Sequence, residues 1–195
     1  MACTALTKGR GLDCNRVSGG VKFIYFGVYD QFDAPIDGTG ILVVNSEITD
    51  IEMAGGAKLY RYTVPRGSTT VNETITGSTE NGTLFYTPTV NMILNRLTKE
   101  DQNEIKLLGQ TQVVIFAQLN ATLANGHDVI VGLGVTNAMS LNAGTADSGA
   151  AFGDRNGYTL TFDGLESDPF PMVADYTTVP FDNAAFDIPL GIVTS

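Results

Sequence analysis

Val64 to Thr83 reads VPRGSTTVNETITGSTENGT. Thirteen of the seventeen residues from Gly67 to Thr83 are Gly, Ser, Thr or Asn, a composition that by itself describes a flexible linker. The middle alternates, however. In an extended chain Val71, Glu73 and Ile75 project to one side and Asn72, Thr74 and Thr76 to the other, and alternation with β-branched residues is the pattern of a strand. A long polar strand must be given a partner for its edge, because unpaired edges template aggregation. The flanks predict how it is held. Lys58 to Val64 alternates as a strand, with Tyr60 and Tyr62 on one face and Pro65 ending it. Leu84 to Leu94 is a long strand in which Pro88 marks an edge or a bulge. Residues 58–94 together predict one long antiparallel hairpin, with its tip in GSTENG, Gly77 to Gly82, where the turn chemistry is good.

The rest of the chain also reads as β. Lys22 to Tyr29 (KFIYFGVY) is a strand apolar enough to be buried on both faces. Ile41–Val44 and Ile48–Met53 follow, then Val113–Leu119 and Asp128–Val135, joined by a turn through Asn125 and Gly126. Gly157–Gly164 alternates, with Tyr158, Leu160 and Phe162 on one face. One helix is expected, over about residues 98–108. Thr98 caps it and Asp101 completes a capping box. Glu100 and Asp101 suit its dipole, Gly109 stops it, and Ile105 and Leu108 face a sheet. Ala143 to Asn156 reads as a loop and residues 1–20 as an arm. Beyond Leu165 lie four of the seven prolines together with Phe170, Phe181 and Phe186. This stretch lacks regular periodicity but is too apolar for disorder, so it predicts an extended arm lying in grooves of its own domain or of a neighbour. The expected fold is mainly β: a β-sandwich or rolled barrel with one flanking α-helix, a long hairpin and extended terminal arms. Residues 1–164 form the domain and 165–195 the C-terminal arm.

The 195 residues are 43% hydrophobic, enough for one large core, but only 16% charged, against about 25% in ordinary soluble domains. Such a weakly charged surface suits contact with other protein. The net charge of −10 and the absence of a basic run argue against a grip on nucleic-acid phosphates. Charge is unevenly placed. Lys8, Arg10, Arg16 and Lys22 face only Asp13 at the start, whereas no Lys or Arg follows Arg155 and six acids do. The two ends are complementary, within one chain or head to tail between copies.

Signals for chemistry are weak. Cys3 and Cys14 with the distant His127 do not make a zinc site, and the thiols are expected to be free. His127 follows Asn-Gly in a turn and reads as solvated. Asp30, Asp33 and Asp37 are interrupted by Ala-Pro-Ile and lack the closing Glu of a calcium loop. No nucleophile, phosphate-loop or metalloprotease motif is present. The Asn-x-Thr triplets at Asn72, Asn81 and Asn120 are glycan acceptors only in a secretory pathway. No apolar run reaches the ~18 residues of a membrane span, and the opening residues lack the apolar stretch of a signal peptide. The expectation is a protein made in a cytoplasm, with no membrane contact, no cofactor, no metal and no catalytic residues.

Three pieces, in this order and spacing, carry a resemblance: LTKGRGLDCNRVSGGVKFIYF, then YTVPRGSTTVNETITGSTENGTLFYTPTVNMILNRLTKEDQ, then GDRNGYTLTFDGLESDPF. Across most of residues 6–170 the chain resembles the tail tube proteins of tailed bacteriophages. The resemblance implies a structural virion protein made in the bacterial host cytoplasm. Six copies would close into a ring, the rings would stack into a hollow tube, and the inner strands would join into a continuous barrel through which DNA passes without specific binding. Its partners would be itself and other tail proteins. Contacts between subunits would come from the hairpin (Arg66, Thr70, Val71, Asn72, Glu73, Thr74, Ile75, Thr76 and Glu80) and from both arms, through Lys8, Arg10 and Arg16 and through Phe170, Phe181, Phe186 and Pro189. The acidic balance suits such a tube, since negative walls repel phosphate. The Pro/Phe-rich tail is longer than a minimal member of that family needs. Two other classes stay open: another virion component, such as a head decoration or tail-completion protein, and a carbohydrate-binding β-sandwich module. The latter usually shows exposed aromatics, whereas this chain has no Trp.

Overall fold

The computed structural model describes residues 18–32, 40–183, 186–187 and 191–194. Lys8, Arg10, Arg16, both cysteines, Asp33, Asp37 and Pro189 lie outside the described residues. In chain order the elements are β1 Val21–Val28, β2 Ile41–Val44, β3 Glu47–Glu52, β4 Leu59–Thr63, β5 Thr70–Ser78, β6 Thr83–Asn95, α1 Lys99–Leu108, β7 Val113–Thr122, β8 Asp128–Leu133, β9 Ser140–Asp147, β10 Gly157–Asp163, β11 Met172–Val173, β12 Phe186–Asp187 and β13 Ile192–Thr194. They build two sheets with a single helix among the described residues, the mainly β architecture expected.

The smaller sheet has four antiparallel strands in the order β5-β6-β10-β9. Val90, Met92, Tyr158, Leu160 and Phe162 alternate onto one face of it and are buried. They pack on Ile24 and Phe26 of β1 and on Ile115, Ala117, Val131 and Leu133 of β7 and β8. Helix α1 lies along this core through Ile105 and Leu108. Its cap is as the sequence predicts: the Thr98 hydroxyl accepts from the Asp101 N–H at 3.0 Å and donates to the Asp101 carboxylate at 2.6 Å.

The larger sheet has nine strands, running β3-β11-β8-β7-β1-β4-β13, with β2 on the free side of β3 and β12 sharing the other side with β11. It is rolled. Ile48 and Ile51 of β3 share one buried cluster with Leu59 of β4, from near the opposite end of the sheet, and with Tyr25, Phe116 and Ile130 between them. The C-terminal arm plugs the roll. Phe181 is 7% exposed and meets Tyr25 and Phe116 edge-on, at centroid separations of 5.1 and 5.4 Å, a preferred aromatic geometry. Thus β1 is buried on both faces, as read from its composition. Ile24 and Phe26 serve the core between the sheets, and Tyr25 serves the core inside the roll.

Three expectations are corrected. The strand of residues 58–64 does not belong to the hairpin. It pairs with β1 and β13 in the larger sheet, and the hairpin is β5–β6 alone. Pro65 to Ser68 form a turn that carries the chain from one sheet to the other, with Ser68 N–H donating to the Pro65 carbonyl at 3.2 Å. Residues 143–156 are not all loop: β9 takes Ser140–Asp147, paired along β10. Its Ala- and Gly-rich sequence has little strand propensity, so pairing to a well-formed neighbour imposes the conformation. The C-terminal arm does not merely lie in grooves. It contributes β11, β12 and β13, each of two or three residues, to the larger sheet. Segments this short fit between prolines and show no period.

Candidate assembly surface

The hairpin divides into a root and a tip. Its strands register from Thr70 opposite Asn91 to Ser78 opposite Thr83. At the root Val71 lies opposite Val90 and packs on the core. Glu73, opposite Pro88, accepts the Phe170 N–H at 2.8 Å, which ties the hairpin to the start of the C-terminal arm. Partial burial raises the pKa of Glu73, against the lowering effect of that bond. Beyond Glu73 the hairpin leaves the body. Ile75 is 63% exposed, Leu84 58% and Phe85 37%. The tip closes at residues 78–83, inside the stretch read as a turn, with Gly82 at φ 63 and Glu80 exposed. Arg66 is exposed in the turn that precedes the root.

The face of the smaller sheet turned away from the core is paved with hydroxyls and amides. Register sets Asn72, Thr89 and Asp163 in one row, Thr70, Asn91 and Thr161 in the next, then Ile93, Thr159 and Thr145. Thr161 donates to the Asn91 side-chain oxygen at 2.8 Å, and Arg155 donates to the Thr159 hydroxyl at 2.8 Å. Thr70, Asn72, Thr74 and Thr76 of the predicted contact set lie on this face, whereas Val71, Glu73 and Ile75 lie on the core side. The alternation read from the sequence thus separates the two faces correctly. Thr145, Thr159 and Thr161 were missed because single short strands do not announce which of them will lie side by side; TPT at 87–89 and TLT at 159–161 are the signals that were there.

The two sheets end differently. The larger one ends in β2 and β13, of four and three residues. Short edges are one of the ways proteins avoid open pairing. The smaller one ends in β5 and β9, of nine and eight residues. No described strand pairs with the outer edge of either. Beside β9, the Tyr158 hydroxyl is buried without a hydrogen-bond partner among the described residues, in a shallow groove also lined by Ile105, Leu141 and Leu160.

The C-terminal contact residues act within the chain. Phe170 packs on the core between the sheets, and Phe181 and Phe186 pack inside the roll. The acids of this end are also engaged internally. Glu166 is 7% exposed and accepts N–H bonds from Asn137 at 3.0 Å and Thr136 at 3.3 Å; burial raises its pKa against those bonds. Asp182 accepts from the N–H groups of Thr177, Thr178 and Val179. Asp175 pairs with His127 at 2.8 Å, and the imidazole stacks on Tyr176 at 4.5 Å. His127, expected to be solvated, instead clamps the arm to the β7–β8 turn, and its bond holds the Asp175 carboxyl below its ordinary range.

Among the described residues no three His, Cys, Asp or Glu side chains converge as a metal site, and no helix is long and apolar enough to cross a membrane. Compared with models of known families, with characterised proteins and with solved structures, the chain finds no match.

Proposed function

We propose that this chain is the repeating subunit of a hollow tube of the kind formed by the tail tube proteins of tailed bacteriophages, acting as a structural virion protein. One observation carries the reading: the rolled sheet ends in short strands, whereas the smaller sheet carries two long open edges, β5 and β9, on opposite sides. A subunit with unlike open edges joins head to tail, and a head-to-tail contact closes into a ring when the rotation allows. Backbone hydrogen bonds between β5 of one copy and β9 of the next supply the contact, as in strand addition. The core side of the smaller sheet is occupied by the roll, so the bulk of each subunit lies outside the ring and the Thr/Asn face lines the channel. Six copies, the number the family resemblance implies, give roughly 24 strands at about 4.8 Å spacing and so a backbone diameter of about 37 Å before strand tilt. That leaves room for one DNA double helix. The projecting tip, with Ile75 and Leu84 exposed, is placed to reach the adjacent ring. The partners on this reading are other copies, other tail proteins, and DNA that passes without specific binding.

The test is electron microscopy of the purified protein with its sedimentation profile. Hollow tubes or stacked rings of constant diameter are expected; a monomer at high concentration that also fails to assemble on tail components overturns the reading, and discrete rings bound to heads would favour a decoration protein. A second arm removes only the tip, replacing Ile75–Leu84 by an Asn-Gly turn. Because Val71 and Glu73 remain, the variant should fold and melt like the parent but form no tubes.

A further inference from the structure

We infer that the channel wall of this tube is neutral, so that a polyanionic double helix slides past a hydroxyl and amide surface with neither ionic attraction nor ionic repulsion. The inference rests on the tube reading above and replaces the acidic wall that net charge alone suggests.

The four strands of the smaller sheet contain no Lys or Arg, and their only charged residues are Glu73, Asp147 and Asp163. Glu73 lies on the core side, bonded to the Phe170 N–H. Asp147 and Asp163 stand at the ends of β9 and β10, and Asp163 accepts a bond from the Asn142 side chain. One cation, Arg155, reaches the margin of the face and is spent on the Thr159 hydroxyl. Between these margins the rows hold Thr, Asn and Ile93. The chain carries −10 overall, so the charge is segregated to the roll, the helix and the loops.

Affinity for DNA scales with the number of phosphates neutralised, because each releases counterions. A face without cations releases none and holds nothing. A face without a field of carboxylates also raises no barrier that falls with salt. The hydroxyls are partly satisfied by one another, as Thr161 on Asn91 shows, which leaves them few bonds to offer a phosphate. Exchange of the rest with water is fast and reversible, which suits transit.

The experiment compares assembled tubes in a cationic stain, uranyl, and an anionic one, phosphotungstate. Wild-type channels are expected to fill equally with both. Tubes of a T89D/T161D variant are expected to lose the anionic stain. Tubes of T89K/T161K are expected to retain a short labelled DNA duplex, with retention falling as salt rises, while wild-type tubes retain none at any salt. Exclusion of the anionic stain from wild-type channels overturns the neutral wall. So does a Thr161→Cys variant whose maleimide-gold label decorates the tube exterior, since the face then does not line the channel. The stain comparison needs no substitution and so survives a variant that fails to assemble. If the wild-type protein forms no tube at all, it is the assembly reading that falls.

Discussion

Glu166 and Asp175 lie nine residues apart and respond to pH in opposite directions. Burial raises the pKa of Glu166, while two backbone N–H groups resist. A group whose folded-state pKa is raised contributes its full stability below the ordinary value, 4.5 here, and loses it as pH rises through the raised value. The stability of the parent relative to E166Q should therefore decline between pH 4.5 and neutrality, as read from urea midpoints; a pH-independent difference would contradict the burial account. Asp175 is depressed by its bond from His127. Its contribution is present above the ordinary 3.8 and is lost as pH falls below it, so the arm should loosen first in acid. Exposure of Tyr176, followed by fluorescence against a D175N control, reports that step. Glu73→Ala should cost about 1 kcal/mol by orphaning the Phe170 N–H, whereas Glu73→Gln keeps an acceptor and should cost less.

At the scale of elements, strand edges decide more than strand interiors. Helix α1 depends on its first turn, and Thr98→Ala should cost about 1 kcal/mol in thermal or urea unfolding. The β6–β10 contact depends on Gly157, because a Cβ there would lie 2.0 Å from the Leu94 carbonyl oxygen. Gly157→Ala is expected to cost roughly 1–3 kcal/mol through forced displacement of the backbone and to disturb the sheet that carries the open edges. Tube formation should thus fail in this variant before folding does, a difference that sedimentation and circular dichroism separate. The β2–β3 hairpin turns through Asn45 and Ser46, both at positive φ (53° and 65°), the pattern of the tight turn that suits twisted strands.

For the whole molecule, the arm and the roll are one structure. Phe181 fills the roll against Tyr25 and Phe116, and β12 and β13 pair with β3 and β4. Phe181→Ala should cost about 3–5 kcal/mol in the isolated subunit, and truncation after Val179 should leave a species that aggregates on heating. An arm serving only between copies would leave the monomer's unfolding midpoint unchanged. The division of labour follows: the roll is internally finished and the smaller sheet is not.

The sequence by itself determined the elements that rest on local chemistry. Thr98 with Asp101 marks the helix start, Asn125-Gly126 marks a turn, and the alternation from Val71 to Thr76 marks a strand with distinct faces, because caps, turns and period-2 patterns act within a few residues. What it could not determine was partnership. KLYRYTV at 58–64 is an equally good strand beside β6 or beside β1, and only competition for the core sends Leu59 into the roll and Tyr62 against Phe26. SLNAGTAD becomes a strand because β10 lies next to it, and the two- and three-residue strands of the arm exist only as pairs. The candidate surface shares this divide. Its hairpin was legible residue by residue, but the second open edge, and the neutral face between the two, arise from setting four separate segments side by side, which is a property of long-range pairing and burial rather than of any one stretch of chain.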